Sequence, residues 1–340
     1  MEASDRRMPR RGWRQGNRPA HSRASAAASG RAASVAGTSS RLIRSGEGGS
    51  VPLAHDSHNF GHVAQSGQSC SDGRATGAGS PHPEDHYIPA IHRLGMPYAI
   101  ISDIHANLEA LDVVLADIAA RQPDAVVCLG DFVGYGPDPV ACVERVRSQL
   151  RAAVLGNHDV AALEARDTVA AKFNPFAYEA VVWTRRQLTD PVRRYLEGLP
   201  LRATLDTALC VHGSVRDPIE EYIFDVATAR ASFDAAPFAL CLVGHTHVPA
   251  VFTQAGEAVV GEPLLPGQSL RLQSDRRYII NVGSVGQPRD GDPRAAYLWL
   301  DTAEQIATLV RLEYPISQTQ QKVLAAGLPA MLAERLAVGR

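Results

Sequence analysis

Residues 98–111 read Tyr-Ala-Ile-Ile-Ser-Asp-Ile-His-Ala-Asn-Leu-Glu-Ala-Leu. An apolar run from Tyr98 to Ser102 gives way to Asp103 and His105. Asn107 then opens a helical period carrying Leu108, Leu111, Val114, Leu115 and Ile118. A short apolar run bounded by polar residues reads as a buried strand. Asn directly before a 3.6-residue period reads as an N-cap, because its side-chain oxygen accepts from the first turn. Gln122-Pro123-Asp124 breaks the helix, and residues 125–129 form a second apolar run. A helix from about Pro139 to Leu150 and a third strand over 152–155 follow. Strand, helix, strand, helix, strand predicts an α/β fold with parallel pairing.

Residues 160–198 read as helical. Asn174-Pro175 and Asp190-Pro191 each supply a cap before a proline in the first turn, and Gly198 fits a stop. Beyond Leu199 the pattern is β-rich, with strands expected over 208–211, 240–243, 248–253, 278–282, 295–300 and 306–312. Helical periodicity returns from about Ser317 to Leu336, broken near Pro329. No internal repeat and no second domain is legible.

Upstream of Met96 the texture differs. Residues 1–95 hold twelve Arg, no Lys and seven acidic residues, a net of +5, against −7 for the rest of the chain. This stretch is rich in Ser, Ala, Gly and Arg with no sustained period, so it predicts a disordered low-complexity tail. Targeting peptide, nucleic-acid-binding arm and upstream translation outside the working protein are its competing readings, with inert disorder or the last preferred. The domain is expected to span 96–340. Its acidic balance argues against general nucleic-acid affinity. No apolar run approaches the roughly 18 residues of a membrane helix. Five cysteines, three of them in apolar runs, argue against a disulfide framework and for a reducing, cytoplasmic setting.

The chemistry collects where strands end. The first strand runs into Asp103-Ile-His105, the second into Gly130-Asp131, and the third into Gly156-Asn157-His158-Asp159. Later runs end in His212-Gly213 and Gly244-His245-Thr246-His247. In open α/β sheets, sites lie beyond the carboxyl ends of strands. Imidazoles and carboxylates without a thiolate suit Mn, Fe or Zn. Seven donors exceed the need of one ion, which suggests two ions about 3.5–4 Å apart around a shared carboxylate. Taken singly, Asp103 is better explained as a cap, Asn157 as a turn residue, His212 as a core histidine, and His245 with His247 as strand alternation. Their joint placement at strand ends is not.

These segments, in order and spacing, resemble the five motifs of the calcineurin-like metallophosphoesterases. The strings Ser102 to Leu111, Gly130 to Pro137 and Gly283 to Pro293 resemble the small prokaryotic phosphodiesterase-like branch. The resemblance implies a two-sheet mixed β-sandwich flanked by helices, a four-layer αββα fold. It implies that Asp103, His105 and His247 hold one metal, that Asn157, His212 and His245 hold a second, and that Asp131 bridges them. His158 would sit over the phosphate, stabilising charge or protonating the leaving oxygen, and Asp159 would orient its imidazole. The expected cofactors are two divalent ions, Mn foremost, with Fe, Ni, Zn or Mg as alternatives.

The expected activity is hydrolysis of a small or nucleotide-like phosphodiester by a hydroxide held between the ions. A protein Ser/Thr phosphatase, a dinucleoside polyphosphate hydrolase and a silent metal-binding scaffold are the alternatives. The expected partner is a small-molecule phosphoester, with no membrane. Ser214, Arg216 and Arg289 are candidates for phosphate contact, with solvated loop roles weighing equally. For Gly134-Tyr135-Gly136-Pro137 a plain turn weighs at least as much as substrate contact.

Overall fold

Strand β1 (Tyr98–Ile101) is buried along its whole length. Tyr98 and Ile100 face an inter-sheet core, while Ala99 and Ile101 face helices. With both faces covered, no polar alternation is needed, which explains the unbroken apolar run. The computed structural model describes residues 97–164 and 173–340, so the expected disordered tail over 1–95 lies outside the described residues.

Two six-stranded mixed sheets carry the fold. In the first, β1 pairs in parallel with β2 (Ala125–Cys128), and β2 with β3 (Leu150–Ala153). On its other edge β1 meets β11 (Ala295–Asp301) antiparallel, followed by β12 (Ile306–Leu312) and β9 (Ser269–Arg271). The second sheet sets β5 (Ala208–Val211), β6 (Leu240–Val243) and β10 (Arg277–Asn281) parallel. It is flanked by β4 (Arg202–Leu205) on one side and by β7 (Ala250–Ala255) and β8 (Ala258–Pro263) on the other.

Between the sheets, Ile100, Val127 and Leu298 of the first pack with Cys210, Leu242 and Ile280 of the second. Each fully buried aliphatic side chain contributes about 1.5–3 kcal/mol. Helices α1 (Leu108–Arg121) and α2 (Pro139–Val146) cover the outer face of the first sheet through Leu111, Val114, Cys142 and Val143. The outer face of the second is covered by α6 (Val226–Ala235), through Ala229 and Phe233. The layers are therefore helix, sheet, sheet, helix, as expected. Cys128, Cys142, Cys210 and Cys241 are buried and unpaired. Among the described residues, no helix is long and apolar enough to cross a membrane.

Several boundaries move. Helix α2 ends at Val146 and not near Leu150, so β3 begins earlier than the expected 152–155. The helical stretch after 160 resolves into α3 (Asn157–Leu163), α4 (Pro175–Gln187) and α5 (Asp190–Glu197). Asn174 caps α4, its oxygen accepting from Ala177 N at 3.0 Å. Helix α5 starts one residue earlier than read, with Thr189 as its cap, and Gly198 ends it at a right-handed φ of −84°. Helix α6 lies between the expected strands over 208–211 and 240–243, in a stretch for which no element was expected, and Asp225 caps it through Thr228 N at 2.8 Å. Strands β4, β8 and β9 also escaped the pattern, because their side chains are largely exposed and carry little apolar periodicity. The C-terminal period divides into α7 (Ile316–Ala325) and α8 (Ala330–Glu334). Both pack against Tyr135, Ala177 and Ala180 through Val323 and Leu332.

Candidate metal centre

The loops that leave β1, β2, β5 and β6 carry Asp103, His105, Asp131, His212, His245 and His247, and β3 leads into Asn157 at the start of α3. Asp103, His105, Asp131, His245 and His247 all take left-handed backbone angles, with φ of 54°, 48°, 55°, 66° and 60°. Such angles cost a non-glycine residue roughly 1–3 kcal/mol and persist only where neighbours enforce them. Here backbone bonds do so. Asp103 N donates to Gly130 O and His105 N to Asp131 O, both at 3.0 Å. Gly130 has φ +93°, and a Cβ on it would sit 2.6 Å from Gly156 N. Only glycine lets the β2 and β3 loops approach this closely.

Two donor groups result, and they share one residue. Asp103, His105, Asp131 and His247 form the first, and Asp131, His212 and His245 the second, with donor atoms in each within 4.8 Å of one another. Asp131 Oδ2 lies 3.4 Å from His105 Nε2 and 3.4 Å from His212 Nε2. Asp103 Oδ1 lies 3.2 Å from His247 Nε2. Asn157 Oδ1 joins the second group, 3.2 Å from His212 Nε2.

Each imidazole uses its other nitrogen on a backbone carbonyl. His105 Nδ1 donates to Val133 O at 3.1 Å, and His212 Nδ1 to Leu129 O at 2.8 Å. His247 Nδ1 donates to Gln287 O at 2.5 Å, and His245 Nε2 to Glu220 O at 3.2 Å. A neutral imidazole has one N–H, so these bonds leave bare lone pairs facing inward. His105 Nε2 and His247 Nε2 then oppose each other at 3.0 Å, and His212 Nε2 and His245 Nδ1 at 3.1 Å, with no proton between either pair. Asp103 Oδ1 and Asp131 Oδ2 are buried without a hydrogen-bond partner. Converging lone pairs and orphaned carboxylate oxygens fit divalent cations, and the backbone acceptors behind the rings are the supports that metal-ligating histidines need.

Burial sets the protonation states accordingly. It pushes the imidazole of His105 well below the usual range, that of His245 to about 2 and that of His247 to about 4. All three are then neutral, the form that ligates. Burial, with the Asp103 charge second, raises Asp131 well above the usual carboxylate range. Burial also favours the neutral form of Asp103, but at the low pH where that carboxyl titrates His247 carries a proton and holds it below the usual carboxylate range.

His158 lies beside these groups, its ring centroid 4.8 Å from that of His105 and 4.3 Å from that of Tyr135. Its backbone N donates to Asp131 Oδ1 at 2.8 Å, and its buried Nδ1 has no hydrogen-bond partner. Asp159 does not orient this ring as expected. Its Oδ1 accepts from Val133 N at 3.2 Å and its Oδ2 from Gly156 N at 3.1 Å. It stands at the third position of α3 and reaches back to the cap, which uses both oxygens on backbone.

Three further side chains border these groups. Arg289 donates to Gln287 Oε1 at 2.9 Å and to Tyr135 OH at 3.3 Å, with no carboxylate partner among the described residues. Tyr135, treated as part of a turn, packs its ring edge on His105. Tyr222 lies flat on His245, and nothing in its sequence context marked it. By contrast, Ser214 and Arg216 are both tied to Glu221 and are not free for a phosphate.

The chain matches the calcineurin-like phosphoesterase superfamily domain over residues 96–305. It is 37% identical over 250 residues to an uncharacterized protein of Methanocaldococcus jannaschii, covering 71% of this chain and 98% of that one. The crystal structure of a metallophosphoesterase from Sphaerobacter thermophilus is similar at a TM-score of 0.66 and 44% identity, over 72% of this chain and all of that one. A hypothetical protein from Pyrococcus horikoshii shares the fold at a TM-score of 0.60 and 17% identity, over 72% and 98% of the two chains. With its two-sheet sandwich and its buried His and Asp cluster, the chain belongs to the calcineurin-like phosphoesterase superfamily and is a metal-dependent phosphoester hydrolase.

Proposed function

We propose that the protein is a phosphodiesterase for a small or nucleotide-like substrate, with residues 96–340 as the working domain. Asp103, His105 and His247 would hold one divalent ion, Asn157, His212 and His245 a second, and Asp131 both. The observation that carries this reading is the sharing of Asp131, whose Oδ2 stands equally far from an imidazole of each group. The nitrogen and oxygen donors, without a thiolate, suit Mn, with Fe, Ni, Zn or Mg as substitutes. Two such ions, when bound, supply Lewis-acid charge and an activated water for in-line attack on phosphorus.

The chain's own residues do the rest. His158 is held against Asp131 through its backbone, with its ring beside the first donor group. Burial, with the Arg289 charge second, keeps that ring neutral. It therefore acts by donating a hydrogen bond to charge developing on the departing oxygen. Asp159 contributes indirectly, by fixing the Gly156 turn and the Val133 backbone. Val133 in turn presents the carbonyl that aims His105.

The test is a panel with the full chain. Bis(4-nitrophenyl) phosphate and 4-nitrophenyl phosphate are assayed with Mn, Ni, Mg, Zn and Fe added separately. Faster turnover of the diester is expected. Turnover of neither substrate with any ion would overturn the reading.

A further inference from the structure

Three rings descend from the candidate metal centre toward solvent. Tyr222 stacks on His245 with centroids 3.6 Å apart and planes at 20°. Phe224 continues the stack on Tyr222 at 5.5 Å and 10°. Exposure grows along the series, from 2% at His245 to 42% at Tyr222 and 62% at Phe224. A single exposed aromatic residue needs no explanation. An ordered parallel stack that begins on a candidate metal ligand and ends on an open ring face is a different matter.

The segment that presents these rings is pinned. Gly213 N donates to Pro218 O at 2.7 Å, and Ser214 N to Asp217 O at 2.9 Å. Glu221, directly before Tyr222, accepts from Ser214 Oγ and pairs with Arg216. The carbonyl of Glu220 holds His245 Nε2. The rings are thus fixed relative to the donors, as a recognition surface requires.

Arg289 supplies the complementary charge. Its backbone N donates to His247 O at 3.2 Å, and its guanidinium is bound only by the neutral Gln287 and Tyr135 among the described residues. The guanidinium also lies 5.6 Å over the Tyr135 ring, which itself packs against His105 with centroids 4.8 Å apart. An unneutralised cation at the His247 side of the centre, with an aromatic stack at its His245 side, suits a ligand that joins an anion to a flat ring.

We propose that Tyr222 and Phe224 form a subsite that stacks a planar group of the substrate, with Arg289 taking charge on its phosphate side. The substrate class is then an aromatic phosphoester, either a nucleotide or an aryl ester. The proposal rests on the phosphodiesterase reading above and narrows it.

Isothermal titration of the Mn-supplemented full chain with adenosine 5′-monophosphate, phenyl phosphate and ribose 5-phosphate tests it. Stacking of one base predicts that the nucleotide binds about tenfold more tightly than ribose 5-phosphate. Phe224→Ala and Phe224→Leu should abolish most of that ratio, and Phe224→Trp should retain it, because only Trp restores a flat face. Phe224 is mostly in solvent, so these variants keep the fold. Phenyl phosphate sharing the advantage would mark the subsite as a reader of any aryl group, and the nucleotide alone holding it would mark a nucleobase reader. A ratio near one in the wild type, or one unchanged in Phe224→Ala, overturns the proposal while leaving hydrolysis of bis(4-nitrophenyl) phosphate standing. Absence of that hydrolysis with every ion overturns the phosphodiesterase reading and this one with it.

Discussion

Replacing Asp131 with Asn should strengthen the metal-free fold and at the same time destroy the metal centre. In the wild type, Asp131 is 1% exposed and its Oδ2 is buried without a partner, facing bare nitrogens of His105 and His212 at 3.4 Å. An amide in place of this carboxylate would keep the Oδ1 bond from His158 N and turn an N–H toward one of those nitrogens. One new hydrogen bond contributes about 0.5–1.5 kcal/mol. With its carboxyl raised well above the usual range, Asp131 must also take up a proton to be buried in the metal-free fold, a cost the amide avoids, so about 2 kcal/mol in total is a conservative sum. For a domain of this size that raises Tm by about 4–8 °C in chelator. The same change takes one negative charge from two cations. A unit negative charge about 4 Å from a divalent ion is worth about 8 kcal/mol at an effective dielectric of about 20, so a loss of more than about 10³ in affinity is expected for each ion. Differential scanning calorimetry with EDTA and with Mn, together with metal content after dialysis, measures both effects. A variant that melts below the wild type in EDTA, or that still gains the full Mn-dependent rise in Tm, would refute the reasoning.

Other residues give separable outcomes. His158→Ala should retain its metal content and lose roughly 10²–10⁴ in kcat, read by metal analysis beside diester turnover. Asn107→Ala removes the cap on Ala110 N and strands Gly286 O and Tyr314 OH, while Thr319 Oγ1 keeps its bond to Glu109. A loss of about 2–4 kcal/mol is expected in urea titration, from the cap and the orphaned groups together. Asp159→Asn turns one acceptor oxygen into a donor facing a backbone N–H. It should lower stability by about 1–3 kcal/mol, seen as a lower urea midpoint.

What the sequence made legible, and what it hid, follows from how each signal is encoded. The donors were readable because each stands directly after an apolar run. Strand ends are local in sequence even where the site is not. Their roles were less so. Asp159 was read as a partner of the neighbouring imidazole, whereas the backbone of its own helix start and of Val133 claims both oxygens. Capping competes for any Asp in a first turn, and here it wins. The inter-sheet strands β1, β6 and β10 were found by their apolar content. Strands β8 and β9 were missed because an edge strand facing water carries no such pattern. Tyr222 escaped because its significance lies in a ring stacked 23 positions away in the sequence.

The histidine supports also explain how the centre joins the two sheets. His212, at the end of β5 in the second sheet, donates to Leu129 O at the end of β2 in the first. His245 N, after β6, donates to Asp103 Oδ2, after β1, at 3.1 Å. Asn281, at the end of β10, holds Gly244 O and Thr246 Oγ1 on the same rim. Each candidate histidine ligand is therefore fixed from behind by a loop other than its own. Ions bound to this set would tie the carboxyl ends of both sheets together, and ligand binding to the native state alone stabilises by mass action. Such a centre has little freedom to vary without loss of its metal. Selectivity among phosphoesters must then reside in side chains that touch the centre without supporting it. On this rim those are Tyr222 and Phe224, on the segment between β5 and α6, and Arg289 beyond β10. Replacing them should change which ester is cleaved far more than whether the protein folds or holds metal.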